Sequence, residues 1–184
     1  MYNLLNFDKI LENRRVAKFH KVSYERFKKD LIDCLPNMEG KDSEIMELYN
    51  NIKLPKRATT GSAGYDFFAP LPLIIEPGQT IRIPTGIRCE MHDGFVLECY
   101  PRSGLGFKFR MQLDNTVGII DSDYFYSDNE GHIMAKLTND GHFGRIIMLD
   151  AGQGFMQGIF KEYYLTVDDE VTEIRNGGFG STTK

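Results

Sequence analysis

The chain has 184 residues, of which 41% are hydrophobic and 26% are charged, and its formal net charge is −4 at pH 7. This size and composition indicate one globular domain with a sizeable core and room for a small appendage. The negative charge argues against a nucleic-acid partner, which requires clustered lysine and arginine. No apolar run approaches the ~20 residues that span a bilayer, so we expect no membrane partner.

Cysteine usage and the first residues bear on the compartment. The three cysteines, Cys34, Cys89 and Cys99, are odd in number and lack CxxC spacing, which favours neither a zinc site nor a disulfide framework. The start of the chain lacks the apolar core and the cleavage site of a signal peptide. We therefore expect a reduced, cytoplasmic setting.

The amino-terminal part of the chain predicts one strand and two helices. The stretch VAKFHKVS alternates as a strand does, and Ser23 is placed to cap a helix over residues 24–35, whose apolar side chains recur every three or four positions. A second short helix, DSEIMELYNN, begins with Asp42 or Ser43 as its cap. We expect this helical pair to pack on the main body rather than to carry chemistry.

From residue 53 onward the sequence is typical of β-structure. Short apolar runs are separated by turn dipeptides such as Pro77-Gly78 and Asp93-Gly94. Residues 95–100 alternate as the two faces of a strand do. Many short strands without helices between them predict a sandwich or a jelly-roll-like barrel rather than an α/β fold.

Two segments place polar groups where a β-core does not need them. In AGYDFFA, Asp66 lies in an apolar run, and its carboxylate must face solvent, a partner or a site because unpaired burial is costly. In PRSGLGFK, the Arg102 guanidinium, the Ser103 hydroxyl and the backbone amides are suited to phosphate oxygens. The alternative for this second segment is a simple turn.

The stretch LDNTVGIIDSDYFY carries two aspartates at a spacing of two. On a regular strand Asp121 and Asp123 face one way, about 6.5 Å apart, and two carboxylates that close suit acid–base chemistry. An Asx-turn that closes a hairpin is the alternative. Further along, Gln157 lies in a predicted strand beside small residues that let a ligand approach.

The last residues, EIRNGGFGSTTK, combine Arg175, a glycine-rich hinge, the ring of Phe179 and several hydroxyls. A flexible end without a function is one interpretation, because ordered glycines lose much backbone entropy. A tail that orders over a ligand is the other.

Five motifs, in order, resemble those of the trimeric dUTPases (deoxyuridine triphosphate nucleotidohydrolases), over about 130 residues. They are AGYDFFA, PRSGLGFK, NTVGIIDSDY, FMQGIF and GGFGST. The stretches KLPKRATTGSAGYDF and EGHIMA further resemble the bacterial and bacteriophage branch of that family. The resemblance implies an all-β, distorted jelly-roll or barrel, with a short helical insertion near the amino terminus.

The resemblance also implies roles for individual residues. Asp121 would activate water for attack at the α-phosphorus of dUTP, which yields dUMP and pyrophosphate. The hairpin of Asn115, Gly118 and Ile120 would read the uracil edge, and Tyr124 would exclude a ribose 2′-hydroxyl. The remaining substrate contacts would be Arg102, Ser103, Gly104, Gln157, Arg175, Phe179, Gly180 and Ser181.

In this family three chains share each active site, so the resemblance implies a homotrimer. Mg²⁺ would be held by the triphosphate and by water, with no direct protein ligand and with Asp66 at most bound through water. The resemblance divides the chain into a strand with a helical insertion (residues 1–52), a jelly-roll core (53–172) and a mobile tail that closes over an active site (173–184).

Two other functions remain open at this point. One is dCTP deamination on the same fold, and the other is a dUTP-binding regulatory role that uses the helical segment 23–51. The chain also departs from the family pattern in two places within the core. Gln153-Gly154 stand where an acidic residue and an arginine are usual, and a longer acidic loop, FYSDNEGH, follows Tyr124.

Overall fold

A computed structural model describes residues 15–173 and residue 175, and within these ranges the chain forms twelve strands and three α-helices. The α-helices are α1 (Tyr24–Cys34), α2 (Asp42–Asn51) and α3 (Ser103–Phe109), and Pro36–Met38 and Ser122–Tyr126 are short 3-10 helices. The strands are β1 (Ala17–Lys21), β2 (Lys56–Arg57), β3 (Tyr65–Phe68), β4 (Leu73–Ile75), β5 (Thr80–Pro84), β6 (Ile87–Met91), β7 (Phe95–Pro101), β8 (Met111–Leu113), β9 (Gly118–Ile120), β10 (Met134–Asn139), β11 (Ile147–Leu149) and β12 (Gly154–Glu162). The prediction of an all-β fold with a short helical insertion is confirmed.

The strands pair antiparallel in several sheets. The largest sheet has the order β2-β3-β12-β7-β9, and a second has the order β5-β10-β8. Two further pairs are β1 with β6 and β4 with β11. Strands distant in sequence are thus neighbours in space, as in jelly-roll folds and unlike a simple meander. One hydrophobic core contains Phe67, Leu97 and Phe155 from the first of these sheets and Ile83 and Leu137 from the second.

The two helices of the insertion begin in different ways. The Ser23 hydroxyl accepts a hydrogen bond from the Arg26 amide at 3.1 Å, so the predicted cap of α1 is confirmed. The predicted cap of α2 is wrong. Lys41 takes that position without a side-chain cap, and Asp42 lies in the first turn, where it pairs with Lys28 of α1. The Asp42 carboxylate, which was expected to cap α2, therefore forms an ion pair between the two helices.

The segment PRSGLGFK forms the short helix α3 instead of a simple turn. Its buried Leu105 anchors one face in the core, and the chain leaves the helix through Arg110 in a left-handed conformation. Among the described residues, none of the helices has the length and apolar character that crossing a lipid bilayer requires.

The helical insertion packs on the body at Gly86, between β5 and β6. Gly86 has a φ of +73°, and a Cβ at this position would overlap the Cδ1 of Ile52 and approach the ring of Phe27 to 3.3 Å. Phe27, Leu31 and Ile45 are fully buried beneath the two helices. The main-chain amide of Val22 also donates to the carbonyl of Gly86 at 3.0 Å. The insertion is therefore part of the hydrophobic core.

Gly86→Ala should lower the free energy of unfolding by about 2–5 kcal/mol, because a left-handed backbone cost adds to an overpacking cost. Urea unfolding at one fixed protein concentration measures this loss. Gly94→Ala is the matched control, since Gly94 has a φ of +84° but a Cβ at this position would have nothing within 4 Å. The control should lose only about 1–2 kcal/mol. Equal losses in the two variants would contradict close packing at Gly86.

Candidate active site

Asp121 follows directly after β9, the edge strand of the five-stranded sheet. Its backbone is extended, and its carbonyl accepts the first hydrogen bond of the 3-10 helix Ser122–Tyr126 from the Tyr124 amide at 3.2 Å. The expectation that Asp121 and Asp123 lie on one regular strand is therefore wrong, because the chain turns into a helix between them. The side chains of both aspartates are nevertheless about half exposed.

Arg175 brings these two carboxylates together. Its Nη2 contacts Oδ2 of Asp121, and its Nε donates to Oδ1 of Asp123 at 2.9 Å. The guanidinium lies 5.8 Å from the centre of the Tyr124 ring. The predicted residues Asp121, Tyr124 and Arg175 thus form one cluster within a single chain. Phe179, Gly180 and Ser181, which were predicted to act with Arg175, lie outside the described residues.

Tyr124 is 5% exposed and is held by two polar contacts of its hydroxyl. The hydroxyl donates to the carbonyl of His132 at 2.8 Å and accepts from Nδ2 of Asn129 at 2.7 Å. Burial raises the pKa of the Tyr124 phenol, so the group stays protonated and continues to donate. Asn129 and His132 therefore fix the orientation of the ring, and both lie in the longer loop that departs from the family pattern.

The hairpin before Asp121 lines a cavity of about 160 Å³. Its lining includes Asn115, Gly118 and Ile120, which the resemblance assigns to the uracil edge, together with Met134 and Met156. A Cβ at Gly118 would lie 3.2 Å from Cβ of Cys99 and 3.8 Å from Nδ2 of Asn115. The absence of a side chain there keeps the cavity open. A cavity of this size is smaller than usual drug-sized pockets and suits a single ring.

A second group of predicted residues gathers at the end of β7. Nε of Arg102 pairs with Oδ1 of Asp66 at 3.3 Å, and Gln157 lies opposite Asp66 in the register of β12 with β3. Ser103 and Gly104 follow Arg102 in the exposed first turn of α3. Together these residues present a guanidinium, a hydroxyl, a carboxamide and backbone amides, which are groups that bind phosphate oxygens.

Glycine at two positions makes room for this second group. A Cβ at Gly154 would lie 2.8 Å from Nη1 of Arg102, and one at Gly64 would lie 2.6 Å from Oε1 of Gln157. Gly154 is one of the two residues that depart from the family pattern before the fourth motif. The departure therefore accommodates the arginine that was predicted to bind phosphate.

The two groups do not share a cavity within one chain. Neither Arg102 nor Gln157 lines the cavity beside Asn115. A separate open depression of about 360 Å³ adjoins Arg102 and Ser103, and the hairpin residues do not line it. One chain therefore carries, in different spaces, the group expected to bind the nucleoside, with Asp121, and the group expected to bind phosphate.

The sequence did not identify the residues that support Tyr124. Asn129 and His132 were noted only as part of the unusual loop after Tyr124. His132 is fully buried and bonded at both ring nitrogens. The only signal in the sequence is the cluster of polar residues directly after Tyr124. Within the described ranges, no three His, Cys, Asp or Glu side chains converge as the ligands of a metal ion would.

Comparison with known proteins identifies the sequence family. The dUTPase family profile matches residues 50–183. The deoxyuridine 5′-triphosphate nucleotidohydrolase of Lactococcus lactis is 38% identical over 150 residues, which cover 79% of this chain and 99% of the relative.

Solved structures agree with this result. The dUTPase of Streptococcus mutans is 37% identical and superposes with a TM-score of 0.56 over 64% of this chain and 90% of its own. A dUTPase of Staphylococcus bacteriophage 80alpha, solved with dUpNHpp, covers 86% of this chain and 97% of its own with a TM-score of 0.59. At 16% identity it supports the fold alone. The chain belongs to the dUTPase family.

Proposed function

We propose that the protein hydrolyses dUTP to dUMP and pyrophosphate, with Asp121 as the general base. The observation that carries this proposal is the position of Asp121, one residue beyond the strand whose Gly118 and Ile120 line the ring-sized cavity. A nucleoside in that cavity places its 5′-phosphate beside the half-exposed Asp121 carboxylate. A carboxylate within hydrogen-bond reach of a water molecule is a competent base for attack on phosphorus.

Recognition of the nucleoside follows from the chemistry of the cavity. The Asn115 side chain and the backbone groups of β9 offer fixed donors and acceptors to a pyrimidine edge. Uracil presents O4 as an acceptor and N3–H as a donor, whereas cytosine reverses both, so a fixed amide discriminates strongly between them. The Tyr124 ring, held rigidly from residues 129–132, would pack against the deoxyribose and leave no space for a 2′-hydroxyl.

The triphosphate needs positive charge on an acidic protein. We assign this role to Arg102 with Ser103, Gly104 and Gln157, and to Arg175 when it leaves Asp121 and Asp123 for the γ-phosphate. The departure of Arg175 would free the Asp121 carboxylate to bind the attacking water. Phe179, Gly180 and Ser181 would then close over the bound nucleotide and exclude solvent.

Mg²⁺ is the ion that suits this donor set. The Asp66 carboxylate is paired with Arg102, and the described residues lack a cluster of three metal ligands. Such a site fits an ion that keeps its water molecules and binds phosphate oxygens, with Asp66 in contact through water. When bound, the ion would neutralise charge on the triphosphate.

Three chains would be needed to complete each site. The nucleoside group and the phosphate group face different spaces in one chain, so a complete site requires a phosphate group from a neighbour. The segment after β12 exposes Tyr164, Leu165, Val167 and Val171, which is unusual for apolar side chains without a covering partner. A homotrimer that exchanges these segments would cover them.

Wild-type protein with Mg²⁺ should release pyrophosphate from dUTP, and much less from dCTP, dTTP or UTP. Asp121→Asn should lower kcat by about 10²–10⁴-fold, because the base is lost while the shape is kept. Affinity for a non-hydrolysable dUTP analogue should change little. Release of ammonia from dCTP by the wild type would instead establish a deaminase.

Asp123→Asn is the matched control, because Asp123 binds the same arginine and undergoes the same change of charge. This variant should lose far less activity than Asp121→Asn. Equal losses would mean that the carboxylates serve to hold Arg175, and the assignment of Asp121 as the base would be wrong.

Mixed oligomers test the shared site. Chains with Asp121→Asn and chains with Arg102→Ala should each be nearly inactive alone. Co-refolded mixtures should regain activity, because some sites then combine an intact Asp121 with an intact Arg102 from a neighbour. Sedimentation should give a mass of three times the 21.1 kDa chain. A mixture without activity, or an active monomer, would contradict sharing between chains.

A further inference from the structure

We infer that the helical insertion is a positioning element for Tyr124, and that Asp30 of α1 is the residue through which it acts. The inference rests on the proposed function, in which the Tyr124 ring selects deoxyribose. The insertion acts through residues 125–132, here called the support loop, which lie between Tyr124 and β10. Three contacts join α1 to this loop, and two join the loop to the Tyr124 hydroxyl.

The first two contacts lie at the start of α1. The Glu130 carboxylate accepts from the Ser23 amide at 2.8 Å and from the Ser23 hydroxyl at 2.6 Å. The Arg26 guanidinium donates to the carbonyl of Asp128 at 2.9 Å. Glu130 has a φ of +59°, a left-handed conformation that side chains rarely adopt, and the two bonds from Ser23 stabilise it there.

The third contact is between Asp30 and His132, and it determines the tautomer of the histidine. Nε2 of His132 accepts from the Gly86 amide at 2.8 Å, so this nitrogen carries no proton. Nδ1 must then carry the proton and donate it to Oδ2 of Asp30 at 2.6 Å. Because the His132 ring is fully buried and bonded at both ends, its main-chain carbonyl is held in place as well.

That carbonyl is the acceptor for the Tyr124 hydroxyl, at 2.8 Å. Asn129 of the same loop donates to this hydroxyl, and its own Oδ1 accepts from the Gly131 amide at 3.1 Å. The loop also packs directly on the 3-10 helix, since a Cβ at Gly131 would lie 2.6 Å from the carbonyl oxygen of Tyr124. A continuous series of contacts therefore runs from Asp30 through His132 to Tyr124.

The helical insertion and the support loop are both departures from the family pattern. The match to the dUTPase family begins at residue 50, after most of the insertion, and the support loop belongs to the longer loop that departs from the family pattern. In this chain the insertion and the support loop bind each other. The insertion thus supports the tyrosine from outside most of the matched region.

The test is the ratio of the dissociation constants of UMP and dUMP, measured by calorimetric titration. Each constant is independent of the fraction of active protein, so a variant that is merely less stable leaves the ratio unchanged. Asp30→Ala removes the acceptor for His132 and should lower the ratio roughly fivefold, the effect of losing one hydrogen bond. Asp30→Asn keeps an acceptor oxygen and should retain most of the wild-type ratio.

Asp33→Ala is the control, because Asp33 is an exposed aspartate of the same helix and has no hydrogen bond to the support loop among the described residues. Its ratio should equal that of the wild type. Tyr124→Phe removes the hydroxyl on which the contacts end, and adding Asp30→Ala to it should change the ratio no further.

An unchanged ratio in Asp30→Ala would overturn the inference. So would a loss that multiplies with that of Tyr124→Phe, because the helix would then act by another route. Nucleotide binding is measured without turnover, so a failure of the proposed hydrolysis is seen separately, in the release of pyrophosphate by the wild type.

Discussion

The geometry of the candidate site depends on one buried side chain, His132, which joins three parts of the chain. Its ring connects the amide of Gly86 to the carboxylate of Asp30, and its carbonyl accepts from Tyr124. Burial opposes ionisation of Asp30, but the His132 hydrogen bond and the charge of Arg26 outweigh it and lower the pKa of that carboxyl. Losing one partner of such a buried network costs about 1–3 kcal/mol. The body, the insertion and the segment that carries Asp121 and Tyr124 are therefore energetically linked at a single residue.

The charges of the candidate site limit how a triphosphate can bind to it. The cluster of Asp121, Asp123 and Arg175 holds two carboxylates and one guanidinium, so it is not neutral, and a triphosphate brings several more negative charges towards it. In the proposed mechanism Arg175 therefore exchanges its carboxylate partners for phosphate oxygens, and the Arg102 group approaches from a neighbouring chain. In one chain the Arg102 group lines a different space from the cavity beside Asn115. The proposed oligomerisation and the proposed substrate binding thus meet one electrostatic requirement.

Local sequence patterns predicted the elements that local forces determine. Ser23 caps α1 as expected, because its hydroxyl reaches an amide only three residues away. The expectation of a regular strand through Asp121 and Asp123 was wrong, because the 3-10 helix there depends on packing against the support loop. The contact of Asp30 with His132 joins residues 102 positions apart, and no periodicity in the sequence reports such a pair. The motifs identified the chemistry, whereas the residues that orient it became visible only in the folded chain.

The tautomer of His132 is the most direct test of the connection between the insertion and Tyr124. The chain has four histidines, so selective ¹⁵N labelling gives few signals, and His132→Gln assigns the relevant pair. At neutral pH we expect a proton on Nδ1 of His132 and none on Nε2, and we expect both ¹⁵N shifts to be unchanged in Asp33→Ala and altered in Asp30→Ala. A proton on Nε2 would be incompatible with acceptance from the Gly86 amide, and it would contradict the proposed connection between the insertion and Tyr124.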